Sequence, residues 1–409
     1  MHIVAVNRFY WPEEPATAQL LTDWAEELVR LGHEVTVITS HSGDPALPPV
    51  ETRHGVTIRR VSSTRWGGAG KIVDFATFQV AALLRLLRTA KPGDRVVALT
   101  DPPLLGIGAW LVARCRGACI YHWVQDIYPE IAEALSGHRW LRISRPLRNL
   151  AWRRADGCVT LGTDLVDTLT AAGVPAAQVT VVPNWAPAGL AEAAPTVTAA
   201  RRLSWQLEGK FVVAYSGNLG RVHDLQPLLA VAEEVRAEPR ILFALIGSGP
   251  QRASLEAEVV RRGLANVRFF PAQPRCDLAA TLSAGDVHLV TLHAGCAGLV
   301  FPSKLYGIAA VGRPVIFIGP PGCELARLLT QHGFGHAFAR HEIAPIAAAI
   351  RHLSTDATDR ARLAAAAETF SRTHRGPAAA AASDCCRPAR KRGPDACDAA
   401  RAPLRSATP

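Results

Sequence analysis

Three short loops in the second half of the chain have residue types suited to holding phosphate. Ser216-Gly217-Asn218-Leu219-Gly220-Arg221 follows the apolar run FVVAY and reads as a strand turning into a helix. Its glycines let backbone amides come close to a diphosphate, and Arg221 can neutralise that charge. A plain tight turn is the alternative. Gly247-Ser248-Gly249-Pro250 repeats the arrangement after ILFALI, with Pro250 suited to a first helical turn. Phe301-Pro302-Ser303-Lys304-Leu305-Tyr306-Gly307 reads as a helix start that Ser303 can cap. Lys304 then sits near the positive helix end, where a lysine does little for stability and much for a phosphate. An exposed surface lysine is the competing reading.

The first half carries carboxylates instead. His122-Trp123-Val124-Gln125-Asp126-Ile127-Tyr128-Pro129-Glu130 ends a strand and projects Asp126 and Glu130 beyond it. A carboxylate there could orient a hydroxyl or take its proton; a helix cap is the bland reading of Asp126. Thr100-Asp101-Pro102-Pro103, after RVVAL, is a second rigid loop on the same side. No Asp-x-Asp pair occurs anywhere, so a two-carboxylate metal site is not expected, and no metal is expected to be required.

The elements that must position these loops are legible as alternation. HIVAV, Ala16 to Leu31, EVTVIT, VTIRRV, Ile72 to Arg88, RVVAL, Leu104 to Arg116 and CIYHWV alternate strand and helix patterns, which predicts a doubly wound parallel sheet. Residues 184–200, rich in Pro and Ala, interrupt the pattern, and FVVAY restarts it. The expectation is α/β throughout: two facing Rossmann-like domains, 1–183 and 201–375, a linker over 184–200, and a cleft between them. Ligands in such sheets bind beyond the carboxyl ends of the strands, where all of these loops fall. The Ala-, Arg- and Pro-rich segment 376–409 lacks periodicity and is expected to be a disordered tail.

Composition narrows the classes. A chain of 409 residues with 49% hydrophobic content fits two globular domains. It has no uncharged apolar run of about 18 residues, so a spanning helix is not expected. HIVAV follows Met1 directly, without the order of a signal peptide, which predicts a cytoplasmic protein. The nine cysteines include no CxxC pair, and reduced thiols are expected. The net charge of +10 implies attraction to anions. The stretch from His138 to Arg154 interleaves arginines with Trp140, Leu141, Ile143 and Leu147, as in a helix lying on an anionic membrane surface, although Pro146 should break or kink it. A solvated basic face is the alternative. No nucleic-acid module is recognisable, and nucleic acid is not an expected partner.

Together SGNLGR, GSGP, FPSKLYGIAAVGRPVIFIG, TDPPLL and QDIYPE resemble the retaining GT-B glycosyltransferases of family four, and within them the enzymes of bacterial O-antigen, capsule and exopolysaccharide synthesis, of the fucosamine-transferase and colanic-acid types. The resemblance runs from about His2 to Arg372. It implies a second domain that holds a nucleotide-sugar, UDP-linked by family habit, and a first domain that receives a lipid-linked glycan acceptor at the inner face of the plasma membrane. By position it implies that Gly217, Asn218, Leu219, Gly220, Gly247, Gly249 and Ser303 line the donor. Arg221 and Lys304 face the diphosphate, Asp126 lies near the reacting sugar, and Thr17, Asp101 and Glu130 lie on the acceptor side. It also implies retention by front-face attack, with the departing diphosphate helping to take the acceptor proton.

This chain departs from the pattern at several positions. Asn218 and His223 stand where many relatives have Arg and Lys, and Gln125 where a histidine is common. Pro15-Ala16-Thr17 replaces a glycine pair, and Gly307 replaces a ribose-holding glutamate, for which Glu324 is the substitute candidate. The rival readings are a nucleotide-sugar epimerase on the same architecture and a catalytically degenerate membrane-binding module.

Overall fold

The computed structural model describes residues 1–41, 46–374 and 376. The segment expected as a tail, from 377 onward, lies outside the described residues. The first domain runs β1 (His2–Val6), α1 (Ala16–Arg30), β2 (Glu34–Ser40), β3 (Val50–Arg53), β4 (Val56–Val61), α2 (Lys71–Thr89), β5 (Arg95–Ala98), α3 (Leu105–Arg116), β6 (Cys119–Val124), α4 (Glu130–Ser136), α5 (Arg145–Arg153), β7 (Gly157–Thr160), α6 (Thr163–Ala171) and β8 (Val179–Val181). The second runs α7 (Pro195–Ser204), β9 (Phe211–Ser216), α8 (Gln226–Glu234), β10 (Ile241–Ile246), α9 (Arg252–Arg262), β11 (Val267–Phe270), α10 (Leu278–Ser283), β12 (Val287–Thr291), α11 (Lys304–Ala310), β13 (Val315–Ile318), α12 (Glu324–His332), β14 (Gly335–Phe338), α13 (Ile343–Thr355) and α14 (Ala357–Thr373).

The two sheets have the orders β3-β4-β2-β1-β5-β6-β7-β8 and β11-β10-β9-β12-β13-β14. Helices cover both faces, which is why β9 and β10 are apolar and buried almost throughout rather than alternating. Strand order reverses between β1 and β5 and between β9 and β12, and such reversals open crevices at the carboxyl ends.

Three expectations are corrected. The first sheet is not wholly parallel: β3 pairs antiparallel with β4 across His54-Gly55, both at positive φ, as a two-residue hairpin turn requires. The linker is shorter than 184–200, because α7 starts at Pro195 and its Arg201 and Arg202 pair with Asp277 and Asp286 of the second domain. The basic stretch is not one kinked helix. A 3-10 segment, Arg139–Ser144, precedes α5, and Pro146 lies in the first turn of α5, where a missing N–H costs nothing.

The domains share a core. Val124, Ile127, Leu161 and Leu165 of the first pack in one cluster with Leu292, Phe301, Leu305 and Leu325 of the second. Beside it two helix starts cap each other. The Asp164 carboxylate accepts the Glu324 N–H at 2.6 Å, and the Glu324 carboxylate accepts Thr163 Oγ1 at 3.0 Å and the Asp164 N–H at 3.3 Å. Arg327 closes the set on Asp164 at 2.6 Å. We expect Asp164→Ala to lower stability in urea unfolding by about 1–2 kcal/mol, the range of a lost cap plus an ion pair. Arg327→Ala, half exposed, should cost under about 1 kcal/mol.

Candidate active site

The two glycine loops at the ends of β9 and β10 are built against each other. Gly217 N–H donates to Ile246 O at 2.9 Å and Leu219 N–H to Ser248 O at 2.8 Å. Gly247, at φ +143°, lies so close that a Cβ there would stand 2.0 Å from Gly217 O. Only glycine fits that contact, since a side chain would meet fixed backbone. Arg252 holds the second loop by donating to Gly247 O at 2.8 Å and to Phe270 O at 2.9 Å. The Leu219 amide is therefore used inside the structure. Among the described residues the amides of Asn218, Gly220, Ser248 and Gly249 have no hydrogen-bond partner, and they remain available to a ligand. The first loop does not open a helix directly, since α8 begins at Gln226, and α9 begins at Arg252, after Pro250 rather than at it.

Lys304 is the first residue of α11, and its neighbour Ser303 occupies the cap position without making a side-chain cap bond. The lysine is not the exposed residue of the competing reading. Its Nζ is buried without a hydrogen-bond partner among the described residues, 3.7 Å above the Tyr215 ring and beside Gly217, where an added Cβ would stand 3.5 Å from it. Burial pushes its pKa from 10.5 down to about 7. Isolated buried cations are rare because water solvation is lost without return, so a partner anion is the natural complement. His223, which stands where relatives have a lysine, is buried and donates from Nδ1 to Thr291 O at 2.8 Å. Burial first, and then the Lys304 charge, depress its pKa to about 3, so it is neutral. Arg221 is exposed and forms no ion pair among the described residues. Tyr215 OH donates to Asn218 O at 2.9 Å and fixes the loop over the lysine.

On the other side Asp126 follows β6. Its N–H donates to Thr100 Oγ1 at 3.3 Å, and its backbone bridges antiparallel to Val300, while Ile127 N–H donates to Leu299 O at 2.9 Å. Val300 is four residues before Lys304, so one stretch of backbone fixes both groups. Burial, and then the Asp101 charge, push the Asp126 carboxyl up to about 7. Asp101 is raised to about 6 by burial, opposed by Arg8 and Lys71. The sequence reading overlooked those two cations, which lie on separate elements far apart in the chain. His122, held neutral by burial at about 4, lines a small cavity of about 30 Å³ with Thr100, Asp126, Tyr128 and Arg148.

Two sequence candidates are engaged elsewhere. The Glu130 carboxylate pairs with Arg148 and Arg145, which ties α5 to the Asp126 segment. Glu324 belongs to the contact between domains described above rather than facing a ribose. The Gly307 position that it was to replace is lined by Leu282 and Leu190, 3.5 and 3.7 Å from an added Cβ. Thr17 is half-buried in the first turn of α1. A larger cavity of about 420 Å³, unforeseen from sequence, lies where Arg275 of the second domain meets Glu13, Glu14, Asp23 and Glu26 of the first. Its carboxylates come from a loop and from one helix face whose acidic spacing is also that of an ordinary solvated helix.

Residues 17–185 match the family model described as a glycosyl transferase 4-like domain, and residues 200–370 match glycosyl transferases group 1. The chain belongs to the GT-B glycosyltransferases and is an enzyme that transfers sugars. Among curated proteins it is 28% identical over 350 residues to the colanic acid biosynthesis glycosyl transferase WcaI of Escherichia coli, covering 80% of this chain and 86% of that one. It is 26% identical over 302 residues to the glycosyltransferase WbjE of Pseudomonas aeruginosa, covering 73% and 75%. Among solved structures it is similar in fold to Anabaena HepE, determined with UDP-glucose, at TM-score 0.71, 17% identity and 91% and 95% coverage. It is likewise similar to WaaG, a glycosyltransferase of lipopolysaccharide biosynthesis, at TM-score 0.66, 18% identity and 91% and 95% coverage.

Two tests follow from the opposed groups. Lys304→Met should raise the melting temperature of the ligand-free protein, because an unpaired buried ammonium is removed. The lysine is protonated in both folded and unfolded chains below pH about 7 and neutral in both above about 10.5, so its penalty is full at the low end and relieved across that window. The gain should therefore be larger at acid than at alkaline pH. In kinetics, an ionised Asp126 and a protonated Lys304, both near 7, should give kcat/KM a narrow bell around that pH. Lys304→Arg should erase the alkaline limb and leave the acid one.

Proposed function

We propose that the protein is a retaining glycosyltransferase that moves a sugar from a UDP-linked donor to a lipid-linked glycan acceptor in cell-surface polysaccharide synthesis, with no metal required. The observation that carries the reading is the partnerless Lys304 ammonium beside Gly217, held by one backbone stretch opposite Asp126. A leaving diphosphate would receive Lys304 and the unpaired amides of Asn218, Gly220, Ser248 and Gly249, with Arg221 at the exposed edge. Fixed donors of this kind stabilise charge as it develops on the leaving group. Asp126 would orient the acceptor hydroxyl, and the diphosphate oxygen on the same sugar face would help to take its proton. The solved structure of HepE with UDP-glucose supports a uridine donor, and the names of WcaI, WbjE and WaaG support a cell-surface glycan.

Binding of UDP, GDP, ADP and TDP by thermal shift in EDTA tests the donor side. We expect stabilisation by UDP that Lys304→Met abolishes; no shift with any nucleotide sinks the proposal. Asp126→Asn should leave the UDP shift unchanged and lower turnover by about a hundredfold, within the range for positioned proton-transfer groups.

A further inference from the structure

Seventeen large apolar side chains are exposed among the described residues, and ten of them lie between Trp66 and Leu147. That is about a fifth of the chain, so the exposure is concentrated. The inner stripe of α2, Phe78, Ala82 and Leu86, packs in one cluster with Leu105 and Ala109 of α3 and Ala151 of α5. Its outer stripe repeats the same four-residue spacing two positions on, about 200° round the helix. Ile72, Val80 and Leu84 stand there in solvent with Leu87 beside them. A helix apolar on both faces needs a second apolar neighbour. The neighbouring helices add Leu111 on α3, Trp140 and Ile143 in the segment before α5, and Leu147 on α5. Ile72 and Ile143 are 77% and 84% exposed.

The unpaired charge on these elements is of one sign, since Arg142, Arg145 and Arg148 are matched by Glu133 and Glu130 of α4. The only acid within α2, α3, Arg139–Ser144 and α5 is Asp74. It is buried and accepts the Trp66 and Gly67 amides at 2.9 Å, which fixes Trp66 at the head of the surface. Lys71, Arg85, Arg88, Arg114, Arg116 and Arg139 form no ion pair among the described residues. We propose that this three-helix face, led by the outer stripe of α2 and by Trp140 and Ile143, docks on an anionic lipid bilayer. Apolar and tryptophan side chains would enter the boundary of the acyl region while the arginines meet lipid phosphates.

Charge decides the occupant. A second copy would set cations against cations. Residues 377–409 carry six Lys and Arg against three Asp, so they too would be repelled. No helix among the described residues is long and apolar enough to cross a membrane, so the contact is a surface one. The face also borders the acceptor carboxylates: Lys71 of α2 acts on Asp101, and Arg148 of α5 holds Glu130. Its use in presenting a lipid-linked acceptor to Asp126 rests on the proposed function; the docking does not.

Co-sedimentation of the full chain tests it, with vesicles of phosphatidylcholine alone and with about a third phosphatidylglycerol. We expect retention on the anionic vesicles only, weakened by salt, and about tenfold weaker in Ile72→Gln/Leu84→Gln. The UDP thermal shift of that variant should be unchanged, which shows that it is folded. Equal binding by the variant, equal binding to neutral vesicles, no binding to either, or a wild-type dimer that the variant dissociates would each overturn the docking. Vesicle binding without sugar transfer would leave it standing and remove the enzymatic reading alone.

Discussion

The short antiparallel contact between Asp126-Ile127 and Leu299-Val300 is the constraint on which the site depends. It joins the end of a first-domain strand to the second-domain loop that runs straight into Ser303 and Lys304. Because both sides are backbone, the main chain that carries the Asp126 carboxylate is tied to the segment leading into Lys304 without relying on a side-chain contact. The cluster beneath, from Val124 and Ile127 to Phe301 and Leu305, keeps water from competing for those backbone bonds. The mutual capping of α6 and α12 is a second contact between the domains.

The same arrangement explains why the site is costly to hold. Lys304 gives up solvation without a counter-charge, and Asp126 lies near a second acid, Asp101, in a poorly solvated position. A structure selected for stability alone would pair or expose these groups. Their retention on elements fixed by Tyr215, Arg252 and Arg148 fits pre-organisation toward ligands that bring the missing charges. The glycine loops belong to the same logic, since the close backbone approach of Gly247 to Gly217 accompanies amides at Asn218, Gly220, Ser248 and Gly249 that have no partner among the described residues.

The sequence by itself determined the two-domain α/β class, the main strands and helices, and the loops that carry Gly217, Gly247, Lys304 and Asp126. These are local signals: apolar runs, glycine placement and carboxyl-end position each follow from a few neighbouring residues. It did not contain β3, β7, β8 and β14, short segments such as VETR and GHAF whose polar residues or glycine interrupt any apolar run, and it overextended the linker because Pro195 can begin a helix as readily as interrupt one. Tertiary structure alone decided what the charged residues do. Lys304 becomes an isolated cation because Tyr215 covers it, and Glu130 becomes an anchor because α5 brings Arg148 to it. Glu324 becomes a cap because α6 of the other domain lies opposite. Each outcome depends on burial and on partners distant in the chain, and a local pattern of residue types carries no record of either.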